Sequence, residues 1–207
     1  MTSYKFVTIR SRSKTKSLTS KKIKKLTAPR LEPGFQGSNP NFFCWGRLIM
    51  KLLDLFSGGK SVARVAESLG YTVTTLDINK NYQPDIIANV LDFDYKSVWM
   101  PGDFDVVWAS IPCETFSAAR RSNIGRMVNG HILTTERLLS DCETLGVPLL
   151  RRTEEIIEYL QPRMWFIENP YTGTMKDYIL EKPAVFDYCM FGFPYRKRTA
   201  IWSNVPL

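Results

Sequence analysis

Histidine is nearly absent from this sequence, and its cysteines are few and scattered. The 207 residues include a single histidine, His131, and no Cys-x-x-Cys pair. Structural zinc sites need clustered cysteine and histidine ligands, and small secreted folds depend on paired cysteines. The sequence therefore predicts neither a metal centre nor a disulfide framework, and it favours a reducing compartment. The cysteines are Cys44, Cys113, Cys142 and Cys189.

Long apolar runs are missing as well. No segment reaches the ~18–20 unbroken apolar residues of a membrane-spanning helix. The N-terminus also lacks the apolar core of a secretion signal. We therefore expect an intracellular protein, in the cytoplasm or the nucleus, that has no membrane partner.

Acidic residues are scarce in the N-terminal segment. Residues 1–49 contain eleven lysines and arginines but one acid, Glu32, whereas residues 50–207 contain seventeen basic and nineteen acidic residues. The net charge of +8 therefore resides in this basic arm, and the rest of the chain is close to neutral. The arm is rich in Ser, Thr and Lys, then in Gly and Pro, and we expect it to be disordered.

Three interpretations of the basic arm stay open. It is a solvated tail without a specific role, or its lysines contact nucleic-acid phosphates or form a targeting signal. Alternatively the chain is extended at its start, because Met50 immediately precedes the first convincing strand. The lysines concerned are Lys21, Lys22, Lys24 and Lys25.

From Met50 onward, strand-like and helix-like segments alternate, which predicts one α/β domain over residues 50–207. Such alternation is typical of βαβ units and a mostly parallel sheet. Residues 118–148 fit neither pattern and predict a long loop with short helical pieces. The predicted strands are 48–56, 72–77, part of 86–94, 103–112 and 164–170; the predicted helices are 61–70 and 149–162; 186–204 predicts a closing antiparallel hairpin.

A glycine-rich turn follows the first predicted strand, in the run Asp54-Leu55-Phe56-Ser57-Gly58-Gly59-Lys60-Ser61. Glycines there let the backbone approach a ligand at a helix N-terminus. A phosphate-binding loop is disfavoured, because Asp54 stands where that motif requires glycine. Asp77 ends the second strand nineteen residues after Gly58, where a carboxylate commonly binds ribose hydroxyls. An ordinary strand-end turn is the alternative.

Three further segments carry reactive or charged residues, two of them at the ends of predicted strands and one within the predicted hairpin. Cys113 follows the fourth strand, where open α/β sheets place their sites, although a buried small side chain is the common alternative. Glu168 ends the fifth strand, and alone it fits a solvated carboxylate. The segment Tyr195-Arg196-Lys197-Arg198-Thr199, taken alone, fits a solvated turn.

In combination and in this order, these segments resemble the catalytic domain of the DNA cytosine-5 methyltransferases. Asp54-Leu55-Phe56-Ser57-Gly58 resembles the first motif of that family, and Pro112-Cys113-Glu114-Thr115-Phe116-Ser117 resembles its Pro-Cys-Gln-x-Phe-Ser loop. Phe166-Ile167-Glu168-Asn169-Pro170 is similar to its Glu-Asn-Val strand. Gly192-Phe193-Pro194-Tyr195-Arg196-Lys197-Arg198 is similar to its Gly-x-Pro-Gln-x-Arg-x-Arg segment, one residue shorter. The resemblance implies a Rossmann-like methyltransferase fold with helices on both faces of the sheet.

The resemblance also implies a reaction. Cys113 would add covalently to carbon 6 of a cytosine in DNA, and carbon 5 would then accept the methyl group. Glu168 would hold ring nitrogen 3 and the exocyclic amine. Arg196 or Arg198 would hold the base carbonyl and help to keep Cys113 ionised. The target base would first leave the base stack.

The cofactor implied by the resemblance is S-adenosylmethionine. Asp77 would bind its ribose hydroxyls, Asp92 its adenine amine, and Phe56 would pack near the adenine ring. The complete set of expected cofactor-binding residues is Asp54, Phe56, Ser57, Gly58, Gly59, Asp77, Ile78, Asp92 and Phe93.

Several positions depart from the family pattern. Lys60 replaces a spaced glycine, Ile111 a proline, Glu114 a glutamine and Pro170 a valine. No target-recognition region follows the last motif, so we expect a short form, with a separate recognition subunit as one explanation. A non-catalytic nucleic-acid-binding relative, a subunit of a split methyltransferase and the same chemistry on RNA are the alternatives. A viral or phage protein acting in its host cell also fits.

Overall fold

A twisted sheet of seven strands organises the computed structural model, which describes residues 49–128 and 130–207. The sheet order is β3-β2-β1-β4-β7-β9-β8, and β5 pairs with β6 in a separate antiparallel ribbon. The strands are β1 (Lys51–Leu55), β2 (Thr72–Asp77), β3 (Ile86–Ile87), β4 (Val106–Ser110), β5 (Met127–Val128), β6 (His131–Ile132), β7 (Met164–Pro170), β8 (Ala184–Asp187) and β9 (Arg198–Ser203).

Five neighbouring strands of the large sheet, β3 to β7 in its spatial order, run parallel. At the far edge, β9 lies antiparallel to both β7 and β8. The predicted mostly parallel sheet with a C-terminal antiparallel pair is therefore confirmed. The carboxyl ends of β1, β2, β4 and β7 meet at one edge, because parallel strands share a direction.

Four α-helices flank the sheet in the described part of the chain. The longest helix begins one residue before Pro148. Proline is tolerated there because the first turn of a helix does not need its backbone N–H. The helix ends before Gln161, whose left-handed φ of 50° and the following Pro162 stop it. None of the described helices is long and apolar enough to cross a membrane. The helices are α1 (Ser61–Ser68), α2 (Tyr95–Val98), α3 (Thr135–Asp141) and α4 (Val147–Leu160).

Helices cover both faces of the sheet, as predicted. On one face, Leu150, Ile156, Ile157 and Leu160 of α4 are buried with the apolar side chains of the central strands. On the other face, Ala66 of α1 packs with Leu52 and Val106. The spacing of three and four residues along α4 explains its single buried stripe.

The structure differs from the sequence predictions in residues 118–148, where the expected loop contains the β5–β6 ribbon in addition to the short helix α3. Within the predicted strand region 86–94, the strand β3 has two residues. Val65 of α1 and the following Leu69 are 60% and 71% exposed and line a shallow apolar groove. The predictions for residues 1–48 lie outside the described residues, and the boundary at Met50 stays a prediction.

Candidate active site

Cys113 lies in a tight loop directly after β4. Its backbone carbonyl accepts hydrogen bonds from the amides of Phe116 and Ser117, at 3.0 and 2.7 Å, which closes the loop. The ring of Phe116 is buried and anchors the loop in the core. The thiol of Cys113 is free and half-buried, so a thiol is held in the loop at the carboxyl edge of the sheet.

The segment after β7 packs closely against this cysteine loop. The amide of Thr174 donates to the carbonyl of Phe116 at 2.9 Å. A β-carbon added at Gly173 would lie 2.8 Å from the same carbonyl oxygen, which is closer than real β-carbons come to such an atom. Glycine at this position therefore allows the two backbones to approach.

Glu168 and Asn169 lie beside the cysteine loop because β7 pairs with β4, with Glu168 opposite Ser110. The buried Asn169 side chain donates from Nδ2 to the carbonyl of Ile111 at 2.8 Å. Burial raises the pKa of Glu168, and the nearby ammonium of Lys197 opposes that shift. Oε1 of Glu168 accepts no hydrogen bond from the described residues. A carboxyl with a raised pKa suits proton transfer.

Glu168 lines a cavity of about 290 Å³ with aromatic walls. Aromatic faces favour stacking with a planar ring, and the carboxyl supplies hydrogen bonds to the edge of that ring. The cavity therefore suits a small planar heterocycle. Its other lining residues are Trp108, Phe186, Tyr188, Phe191, Phe193, Thr199 and Ile201.

The glycine-rich turn connects β1 to α1 through left-handed residues. Phe56, Gly58 and Lys60 have φ values of 60°, 46° and 57°. Asp77 holds this turn: its Oδ2 accepts from the amide of Gly58 and its Oδ1 from the amide of Asn79, both at 2.8 Å. The expected ribose-binding carboxylate thus also ties the turn to the end of β2.

Asp54 is the most deeply buried acid beside this turn, with 1% of its surface exposed. Burial raises its pKa to about 7, against a lowering hydrogen bond from the backbone of Ala63, and the charge of Asp77 adds to the rise. Oδ2 of Asp54 and Oγ of Ser57 are buried without a hydrogen-bond partner in the described residues. Buried polar atoms normally have partners, so both atoms fit the polar or cationic group of a ligand.

The remaining expected cofactor residues occupy the neighbouring strand ends. Gly59 is exposed, with open space around it, and Ile78 is 68% exposed after β2. Asp92 is exposed and accepts from Nδ2 of Asn89 at 2.7 Å, while Phe93 packs edge-on against Trp99. The structure thus joins Gly58 and Asp77 directly and places Asp92 and Phe93 after β3.

A curated protein of Frog virus 3 (isolate Goorha) is 47% identical to this chain over 159 residues, which are 75% of this chain and 71% of that protein. It is named "Probable DNA (cytosine-5)-methyltransferase". This chain belongs to the DNA (cytosine-5)-methyltransferase family. No protein-family model matches the chain.

Two solved structures of other methyltransferases are less similar to this chain in sequence. An S-adenosylmethionine-dependent methyltransferase from Archaeoglobus fulgidus is 17% identical, with a TM-score of 0.34 over 59% of this chain and 45% of that one. One from Agrobacterium tumefaciens is 14% identical, with a TM-score of 0.43 over 76% and 56%. This chain thus spans about half the length of either structure.

The two arginines of the family's last motif bind an acid on the neighbouring strand. Asp187 of β8 pairs with Arg196 at 3.1 Å and with Arg198 at 3.0 Å. Hydrogen bonds from Arg198 and Arg196 lower the pKa of Asp187 to about 2. The roles expected for these arginines at the base carbonyl stay predictions.

Lys197, which lies between them, is the cation next to Glu168 in this methyltransferase-family chain. Its Nζ lies 3.7 Å from Oε1 of Glu168. Lys197, Asn169 and Gly173 are not among the site residues expected from the sequence. For Lys197, the alternation of side chains along β9 could have indicated its position. Thr199 and Ile201 line the cavity with Glu168, and Lys197 is two residues before Thr199, so it belongs to the same face.

Proposed function

We propose that this chain transfers a methyl group from S-adenosylmethionine to carbon 5 of cytosine in DNA, with Cys113 as the nucleophile. The observation that supports the proposal is the pairing of β4 with β7, because the loop that carries the free Cys113 follows β4 and the partly buried Glu168 lies opposite Ser110 at the end of that strand. The hydrogen bond from Asn169 to Ile111 fixes the two segments to each other. Family membership supports DNA as the substrate.

S-adenosylmethionine would supply an activated methyl group on a sulfonium cation. The residues at the end of β1 fit such a ligand, since Asp54 and Ser57 have buried oxygens without partners. Asp77 would accept from the ribose hydroxyls with its remaining lone pairs, and Phe56 would pack on the adenine. Asp92 would accept from the adenine amine, and Gly58, Gly59, Ile78 and Phe93 would complete the site.

The target cytosine would leave the base stack and enter the aromatic cavity. The thiolate of Cys113 would form a bond to carbon 6, and the electron pair of the C5–C6 double bond would move toward carbon 5. Glu168 would hold the exocyclic amine and supply a proton to ring nitrogen 3. Carbon 5, made nucleophilic, would take the methyl group as its bond to the sulfonium sulfur breaks, which would leave the neutral thioether S-adenosylhomocysteine. Loss of the carbon 5 proton to a base would then expel Cys113 as a thiolate and restore the C5–C6 double bond, and the proton on ring nitrogen 3 would return to Glu168.

The test is transfer of labelled methyl from S-adenosylmethionine to mixed-sequence DNA, followed by nucleoside analysis. We expect the label in 5-methylcytosine, and we expect Cys113→Ala to abolish it while the protein stays folded. Cys189→Ser is the matched control, because Cys189 is a free, exposed cysteine outside the site and its loss should leave transfer unchanged.

Three results would overturn the proposal in whole or in part. Label that enters RNA but not DNA would move the same chemistry to another substrate. Cofactor binding without any transfer would instead indicate a non-catalytic relative or one subunit of a split enzyme. Undiminished transfer by Cys113→Ala would remove the covalent step.

A further inference from the structure

Lys197 brings a positive charge to the edge of the aromatic cavity. Its ammonium lies 3.7 Å from Oε1 of Glu168, 3.5 Å from the hydroxyl of Tyr188 and 4.9 Å from the centre of the Tyr188 ring. The side chain is 43% exposed, so it has room to move onto a ligand. Tyr188 also lines the cavity, which places the lysine at the mouth of the same space.

The arginines on either side of Lys197 both form ion pairs with an acid on the neighbouring strand. Nε and Nη2 of Arg198 donate to the two carboxylate oxygens of Asp187 at 3.1 and 3.0 Å, and Arg196 donates to the same acid. Arg198 lies directly opposite Asp187 in the β8–β9 ladder. Side chains alternate between faces along a strand, so Arg198 faces away from the cavity that its neighbour Thr199 lines.

We propose that Lys197 donates a hydrogen bond to the carbonyl oxygen at carbon 2 of the flipped cytosine, the contact that the resemblance assigned to Arg196 or Arg198. This inference rests on the proposed function. In cytosine, the carbonyl at carbon 2 adjoins ring nitrogen 3. The proposal places Oε1 of Glu168 on nitrogen 3, so that the ammonium of Lys197, 3.7 Å from Oε1, would reach the adjoining carbonyl.

The charge of Lys197 matches what the reaction requires. When the thiolate of Cys113 adds to carbon 6, negative charge spreads onto the ring and its carbonyl oxygen, where a neighbouring cation stabilises it. Burial lowers the pKa of Lys197, but the charges of Glu168, Tyr188 and Cys113 outweigh burial and leave that pKa raised. The lysine thus remains an ammonium at neutral pH. In the free protein the same ammonium compensates the buried carboxylate of Glu168.

The test compares methyl transfer under single-turnover conditions on two DNA substrates, one with cytosine and one with 2-thiocytosine in its place. Sulfur is a weaker hydrogen-bond acceptor than oxygen, so the second substrate reports on the contact at carbon 2. We expect Lys197→Met to slow transfer to cytosine by about 100-fold, as loss of a charge-stabilising donor does. Transfer to 2-thiocytosine should slow by far less, and calorimetric affinity for S-adenosylmethionine should not change.

Lys96→Met is the matched control, because Lys96 also stacks on tyrosine rings, those of Tyr95 and Tyr159, but belongs to α2. It should behave as wild type on both substrates. Equal losses by Lys197→Met on the two substrates would reduce Lys197 to a structural role and overturn the inference. So would an Arg198→Met variant that alone shows the substrate-dependent loss.

The failure of the proposed function has a different signature. A wild-type protein that labels neither cytosine DNA nor RNA would overturn the proposed function and this inference together. A wild-type protein that methylates cytosine while Lys197→Met retains full activity overturns the role of Lys197 alone.

Discussion

The side-chain amide of Asn169 donates a 2.8 Å hydrogen bond to the backbone carbonyl of Ile111, two residues before Cys113. Asn169 is fully buried and follows Glu168 directly, so one contact fixes the carboxyl and the thiol relative to each other. A buried carbonyl left unpaired costs about 1–3 kcal/mol, which favours a single loop conformation. We therefore expect separate tasks for the two neighbours, a chemical one for Glu168 under the proposed function and a structural one for Asn169.

Asn169→Ala should therefore damage both stability and transfer. We expect the free energy of unfolding in urea to fall by about 1–3 kcal/mol because the carbonyl of Ile111 loses its partner. Misplacement of Cys113 should slow methyl transfer by up to about 100-fold per folded molecule. Asn204→Ala is the control: Asn204 bonds the backbone at the opposite end of β7, through Trp165 and Arg163, so transfer should survive. Equal effects on transfer would contradict the proposed role of Asn169.

Gly173→Ala tests the close approach of two backbones behind the cysteine loop. The new β-carbon would meet the carbonyl oxygens of Phe116 and Pro170, at 2.8 and 3.1 Å, so one segment must shift. We expect a loss of roughly 1–3 kcal/mol in unfolding free energy, the cost typical of overpacking. Gly59→Ala has nothing within 4 Å of its added carbon and should leave stability unchanged. If Gly173→Ala leaves the unfolding free energy unchanged, the cysteine loop can shift away from the new β-carbon without a cost in stability.

Asp54 should make stability depend on pH. Its pKa rises from 3.8 to about 7 on folding, so the folded protein holds the proton more tightly than the unfolded chain. The resulting stabilisation is complete below pH 3.8 and disappears as the pH rises through 7. Asp54→Asn lacks this proton, and its stability relative to wild type should therefore improve by about 2–3 kcal/mol between pH 5 and pH 8. Urea unfolding at both pH values measures this difference.

The exposed Asp94→Asn provides the control for that experiment. Its stability difference from wild type should be nearly the same at the two pH values. A difference for Asp54→Asn that does not change with pH would mean that the buried carboxyl is ionised throughout the range.

Asp77→Ala should weaken cofactor binding by about 1–3 kcal/mol, the cost of unpaired buried groups. The change removes the acceptor for the amides of Gly58 and Asn79, so the glycine-rich turn loses its fixed shape as well as a ribose partner. Titration calorimetry with S-adenosylmethionine measures the loss. Asp77→Asn keeps one acceptor oxygen and should lie between wild type and the alanine variant. Unchanged affinity in both variants would remove Asp77 from the cofactor site.

Local patterns predicted the elements that are long and regularly buried. The buried stripe of α4, formed by Leu150, Ile156, Ile157 and Leu160, follows from the spacing of these residues. The short apolar run around β1 predicts a buried strand, and four of its five residues are buried. The bounds of β3 and α3 were less predictable. The sequence predicts a strand within 86–94 and short helical pieces within 118–148, but a two-residue strand shows no periodicity, and α3 contains no buried residue that would mark an apolar face.

The sequence by itself determined where the main strands of the large sheet lie along the chain and which chemical groups end them, because apolar periodicity and strand-end motifs are properties of neighbouring residues. The tertiary structure alone decided which of Arg196, Lys197 and Arg198 reaches Glu168. That choice depends on the register of β9 against β7 and β8, set by pairing between residues far apart in the chain. A shift of one residue would exchange the two faces, so the cation beside Glu168 is fixed by strand pairing and not by the motif.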